Sequence, residues 1–146
     1  MPWPTENTLL ATIAHEDRRR LERHLEPVLL PIRKKLEVAK KPIEYVYFPE
    51  SGIASVVSHV NNDRQIEVGV IGREGMTGLA ALCYHHGPVQ NEVYMQVAGT
   101  GFQLSVAHLK EAFAASRSIH EIMLGFALFI LSAGLGDRAR EWALLN

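Results

Sequence analysis

The side chains with the greatest chemical reach in this sequence are one thiol, Cys83, an adjacent imidazole pair, His85 and His86, and an arginine in the turn Gly72-Arg73-Glu74-Gly75. A single cysteine excludes an internal disulfide and any all-cysteine zinc or iron-sulfur site within one chain, and it fits a reducing cytoplasm. Neighbouring histidines on extended backbone point to opposite sides. Just before Gly87-Pro88 they read as a solvated loop rather than a ligand pair. His59 and His108 could each ligate haem, but nothing in the sequence singles either out. Gly69, Gly72, Gly75 and Gly78 recur every third residue, which suits corners where side chains would collide. A nest of backbone amides around a phosphate is the competing reading, and it rests on spacing alone. The chain lacks Gly-x-Ser-x-Gly, a paired acid motif and a phosphate-loop Gly-Lys-Ser. No catalytic residue, metal site or cofactor is therefore assigned, and the chain is read as not an enzyme.

The bulk numbers point the same way. At 146 residues and 47% hydrophobic content the chain can build one core. Its formal charge of -1 gives no whole-chain reason to bind nucleic acid, which needs clustered Lys and Arg on one face. Basic residues do gather at Arg18, Arg19, Arg20 and Arg23, interleaved with Glu16, Asp17 and Glu22 as on a solvated helix face. A second group spans Arg33, Lys34, Lys35, Lys40 and Lys41. Met1 to Thr5 shows no signal-peptide pattern. The uncharged stretch from Ile122 to Gly136 is shorter than the about 20 residues a spanning helix needs, so no membrane partner is expected.

These side chains must be held by elements, and the texture of the chain suggests which. Leu9, Leu10, Ile13, Leu21 and Leu25 recur near helical spacing, and His15-Glu16-Asp17 offers a fresh acidic first turn. Two short helices, or one bent helix, are predicted. After Pro27 come short β-type runs: Val28 to Ile32, Glu44 to Phe48, Ile53 to Val60, Gln65 to Ile71, Val93 to Val97 and Phe102 to Leu104. Asn61-Asn62-Asp63-Arg64 supplies a tight hairpin connection. Ser105 then reads as a helix N-cap, with Leu104 and Leu109 at the positions of a hydrophobic staple. Ser118 and Glu121 have the spacing of a capping box that opens a second helix. Within it Ile119, Ile122, Phe126, Phe129 and Ala133 step by three and four, the seam of a coiled-coil dimer. Ordinary core packing has the same spacing and stays open. Pattern alone thus yields an α+β domain with a β-roll or sandwich.

The segment Tyr45-Val46-Tyr47-Phe48-Pro49-Glu50-Ser51-Gly52-Ile53, followed by Glu67-Val68-Gly69 and Gly72-Arg73-Glu74-Gly75-Met76, resembles the sensor domain of Crp/Fnr-type transcription regulators. The resemblance runs from Leu9 to Phe113. It implies a double-stranded β-helix, a jelly-roll-like β-roll, holding a small effector, with N-terminal helices before it and a dimerisation helix after it. It divides the chain into a cyclic-nucleotide-binding-like roll over 1–117 and a helical segment over 118–146. It further implies a homodimer, an unidentified small-molecule effector and a cytoplasmic location. A helix-turn-helix DNA reader should follow the pairing helix. The residues from Asp137 to Asn146 are too few to form one, so the chain is expected not to bind DNA by itself.

The family's cyclic-nucleotide binders carry a phosphate cassette of Gly-Glu-(apolar)-Ala-Leu and a later Arg-(Ser or Thr)-Ala. Here the first part aligns with Gly78-Leu79-Ala80-Ala81-Leu82, so Leu79 stands where the ribose acceptor belongs. The second aligns with Asn91-Glu92-Val93, placing Asn91 at the arginine and Glu92 beside the expected phosphate. The candidate pocket residues are therefore Arg73, Gly78, Leu79, Asn91 and Glu92, a degenerate cassette from which specific cyclic AMP binding is not expected. Arg73 is the nearby cation that could substitute. Two functions follow: a regulatory sensor module, or a structural dimerisation module whose roll packs its own side chains. Leu79 inclines slightly toward the filled roll.

Overall fold

The computed structural model describes residues 4–61, 64–82 and 91–129. Asn62 and Asp63 of the hairpin turn, Cys83, His85, His86, Ala133 and the stretch from Asp137 to Asn146 lie outside the described residues.

Two separate helices open the chain. Helix α1 (Thr8–Ala11) is capped by Asn7, whose side-chain oxygen accepts from the Leu10 N–H at 3.0 Å. Helix α2 (His15–Glu22) carries Glu16 and Asp17 in its first turn, where carboxylates meet the positive end of the helix dipole. Seven strands follow among the described residues: β1 (Glu26–Leu30), β2 (Lys35–Glu37), β3 (Tyr45–Pro49), β4 (Ile53–Asn61), β5 (Arg64–Ile71), β6 (Asn91–Val97) and β7 (Gly99–Ser105). A 3-10 turn, Leu79–Leu82, sits between β5 and β6. Helix α3 (Val106–Ala115) follows β7, and residues 117–129 form a further helix, α4.

All strand pairs are antiparallel and make two sheets, β1-β7-β3 and β2-β6-β4-β5. The three-stranded sheet is the middle layer. On one side Val46, Phe48 and Leu104 join Leu10, Leu21, Leu109, Ile119 and Met123 of the helices in one core. On the other side Tyr47 meets Leu30, Leu36, Ala54, Val93 and Met95 in a second core between the sheets. Strand β3 is therefore buried on both faces, which is why its sequence Tyr-Val-Tyr-Phe-Pro shows no polar alternation.

The strand readings hold for six runs, with shifted ends, and miss β2. Strand β1 includes Pro27, which pairs with Phe102 at a sheet edge where a missing N–H is tolerated. Strand β7 begins at Gly99 rather than Phe102 because Gly99 and Gly101 are paired strand residues pressed against neighbouring backbone. The hairpin is closed by the Asn61–Arg64 pair.

The capping reading holds at α3 and needs correction at α4. The Ser105 hydroxyl accepts from the His108 N–H at 3.2 Å, and Leu104 and Leu109 are fully buried. Helix α4 is instead capped by Ser116, whose hydroxyl accepts from the Ile119 N–H at 3.1 Å. Ser116 is buried at the junction with α3, so its hydroxyl is held where the orphan amides emerge. Glu121, freed from a capping role, pairs with Arg117 at 3.1 Å one turn away.

Candidate effector pocket

A pocket of roughly 300 Å³ lies between the four-stranded sheet, the corner before the 3-10 turn, and α4. Strand periodicity builds its apolar walls. Val56 of β4 and Val93 of β6 are paired neighbours, and Gly69 of β5 lies beside Val56. Met76 and Leu79 close the corner, and Phe126 reaches in from α4. Leu79 thus lines a half-open pocket beside the four-stranded sheet, while Leu30, Leu36, Tyr47, Ala54, Val93 and Met95 fill the space between the two sheets.

Polar groups are few. Asn91 lines the pocket on the same face of β6 as Val93. Glu37 of β2 lines it too, and its Oε2 accepts from the Gly78 N–H at 3.1 Å. Gly78 makes that contact possible: its φ is +82°, and a Cβ there would lie 2.5 Å from Val46 Cγ1. Burial pushes the Glu37 carboxyl above its ordinary pKa, and the Gly78 hydrogen bond only partly opposes this.

Of the predicted pocket residues, Gly78, Leu79 and Asn91 come together and two do not. Glu92 falls on the opposite face of β6 from Asn91, because side chains alternate along a strand. There it pairs with His59 at 3.5 Å. Arg73 is exposed and does not line the pocket; its carbonyl accepts from the Thr8 N–H at 2.7 Å. Neither supplies charge to the cavity. Glu37 was missed because Lys-Leu-Glu sits in a basic stretch and is too short to read as a strand.

The predicted dimer seam also divides. Ile119 and Phe126 are buried in the chain's own core beside Met123, and Ile122 packs against the same cluster. Phe129 is 66% exposed, and Leu124 and Leu128 are exposed with it. The three-four spacing thus serves ordinary packing at its start, and the apolar residues left facing outward are Leu124, Leu128 and Phe129. His108, one of the two haem candidates, stacks on His24 with centroids 3.7 Å apart. Among the described residues no cluster of three or more His, Cys, Asp or Glu could hold a metal, and no helix is long and apolar enough to cross a membrane.

No family model and no curated protein matches the chain. Solved structures do. The c-di-GMP responsive global regulator CLP of Xanthomonas campestris is 20% identical with a TM-score of 0.69, over 89% of this chain and 63% of that one. The sensor domain of the transcriptional regulator DNR from Pseudomonas aeruginosa is 12% identical, with a TM-score of 0.66 over 82% of this chain and 88% of that one. A cyclic nucleotide-binding domain from Methylobacillus flagellatus is 17% identical, with a TM-score of 0.66 over 93% of this chain and 78% of that one. The chain spans less than two thirds of the Xanthomonas regulator's length. An antiparallel roll with helices before and after it, matched to these three proteins, gives this chain the fold of a cyclic nucleotide-binding domain.

Proposed function

We propose that the chain is the effector-sensing domain of a Crp/Fnr-type transcription regulator, a cytoplasmic binding module rather than an enzyme. The observation that carries this is Phe126, which is at once a wall of the roll's pocket and part of α4. An effector entering the pocket would press on the helix. The functional division falls near residue 117, with the roll sensing and the following helix pairing two copies through Leu124 and Leu128. DNA reading belongs to a separate domain in such regulators, so this roll is assigned no nucleic-acid contact.

The effector is not a cyclic nucleotide. Glu37 is the one charged side chain lining the pocket among the described residues, and it is an anion. A cyclic phosphate would find no arginine there and would face a carboxylate, which disfavours it by several kcal/mol. The neighbour from Xanthomonas is described as c-di-GMP responsive, and the same argument excludes that doubly charged ligand here. Calorimetry with cyclic AMP, cyclic GMP and cyclic di-GMP checks this: micromolar binding of any of them overturns it.

The sensor reading is tested by a thermal-shift screen against nucleotides, acyl compounds and haem, in the native chain and in Gly69→Leu. Gly69 lines the pocket, and a Cβ there meets nothing within 4 Å, so a leucine can be introduced at the pocket wall with its first side-chain atom unobstructed. Stabilisation of the native chain that the variant loses supports a sensor. If no compound stabilises the native chain, the structural dimerisation module is the better reading. The dimer is read by sedimentation equilibrium: Leu124→Glu with Leu128→Glu should give monomers, and a native monomer at tens of micromolar refutes the pairing.

A further inference from the structure

Glu37 stands in an environment that makes a chemical demand. Its carboxylate lies in a cavity whose other walls are almost wholly hydrocarbon, including Val56, Val68, Ile71, Val93 and Phe126. Among the described residues the only other polar side chain lining it is Asn91. Its hydrogen bond from Gly78 is a single neutral donor to one oxygen. Lys41, Glu44, Tyr45 and Tyr47 share the neighbouring groove with it, and no ion pair joins Glu37 to any cation among the described residues. A part-buried carboxylate with one neutral donor, on the wall of a largely apolar, half-open pocket, is a site for an incoming donor.

We propose that the pocket selects a small, mainly apolar effector that carries an ammonium group, held by Glu37 with Asn91 as a second polar contact. This rests on reading the cavity as the effector site and names the class of effector it takes. The ammonium supplies the charge partner the fold withholds, while the hydrocarbon walls take up the rest of the molecule. Burial holds the free carboxyl's pKa above its ordinary range, so an ammonium ligand should lower it and release protons on binding. Affinity then rises with pH as Glu37 ionises.

Three probes of one shape and different charge test the assignment: 2-phenylethylamine, 2-phenylethanol and phenylacetate. Their binding is followed by amide chemical shifts of the full chain, with Gly69 and Gly78 reporting the pocket and Gly52, which does not line it, as reference. At pH 8 the amine should bind about tenfold tighter than the alcohol, the ratio expected of a charge-assisted over a neutral contact, and phenylacetate should not saturate. Glu37→Gln keeps the shape and an acceptor for Gly78, and should bring amine and alcohol within about threefold. Phenylacetate binding as tightly as the amine overturns the charge selection and leaves the pocket standing. An amine preference that survives Glu37→Gln does the same. If no probe shifts the pocket amides at millimolar concentration, the effector-site reading itself falls, and the selection with it.

Discussion

Asn7 caps the N-terminal helix with one side-chain hydrogen bond and ties it to the roll with two more, and its removal has a computable cost. The residue is fully buried. Its Oδ1 accepts from the Leu10 N–H at 3.0 Å, and its Nδ2 donates to the carbonyls of Pro49 at 2.8 Å and Gly75 at 2.9 Å. Asn7→Ala loses a helix cap, about 1 kcal/mol, and strands two carbonyls at about 1 kcal/mol each. The expected loss is about 3 kcal/mol, a drop in melting temperature of roughly 6–12 °C for a domain of this size. The discriminating variant is Asn7→Asp. If capping were the whole role, aspartate would replace asparagine at no cost, since both are good caps. The two donated bonds say otherwise: aspartate would aim a buried, charged oxygen at two carbonyl oxygens. It should therefore be worse than alanine, by more than about 1 kcal/mol. Urea denaturation of the three proteins, with the slope checked for constancy, measures the order. An aspartate variant as stable as the native chain refutes the reasoning, because the contacts to Pro49 and Gly75 would then contribute nothing.

Three other outcomes follow from single residues. Gly78→Ala places a side chain at a left-handed φ of +82° and against the buried Val46, so urea denaturation should show a loss of about 2–3 kcal/mol. Glu37→Gln should change the pH profile of stability. The native carboxyl titrates higher in the fold than unfolded, so its contribution is full below the ordinary carboxylate range and is lost as pH rises through the folded value. The variant should therefore gain on the native chain as pH rises toward 7, and parallel melting curves between pH 4 and 7 would refute it. His24 runs the opposite way. Burial holds its pKa below the ordinary value, with His108 and Arg23 adding to the effect and Glu111 opposing it. Stability it contributes is present above the ordinary histidine range and is lost as pH falls through the folded value. His24→Leu should flatten the thermal stability profile on the acid side of neutrality.

What the sequence made legible was decided by whether a residue's task is local. Ser105 caps its own helix, and Glu16 and Asp17 sit in their own first turn, so spacing alone identified them. Asn61 and Arg64 pair at a separation of only three residues, which a local signal can announce. Ser116 was passed over for Ser118 because only Ser118 has a glutamate three residues on; the choice is made by burial against α3, which is a tertiary fact. Glu37 was invisible for the same reason. Its strand has three residues, and its role comes from Gly78, far along the chain, turning its amide toward it. Glu92 illustrates the reverse error. An alignment places it beside Asn91, but a one-residue step on a strand moves a side chain to the other face.

The same period explains why the helix could not be assigned from spacing. A three-four repeat marks an apolar stripe, and in α4 that stripe is consumed by the chain's own core as far as Phe126, leaving Leu124, Leu128 and Phe129 on the outside. The consequence is mechanical. The start of α4 is fixed by the Ser116 cap, and the Gly75 corner that touches Phe126 is fixed by Asn7. Phe126 lies ten residues beyond that cap, about 15 Å along a helix. If an effector displaces the Phe126 ring by about 1 Å, and the Ser116 end holds, the helix tilts by about 4° on that lever. Leu124 and Leu128 flank Phe126 on the exposed side, so they move by a similar distance. Packed interfaces respond to such shifts in steps, since close-packed side chains resist continuous deformation. Under the proposed function the signal is therefore carried by the orientation of the outward leucines, and the roll itself need not change shape.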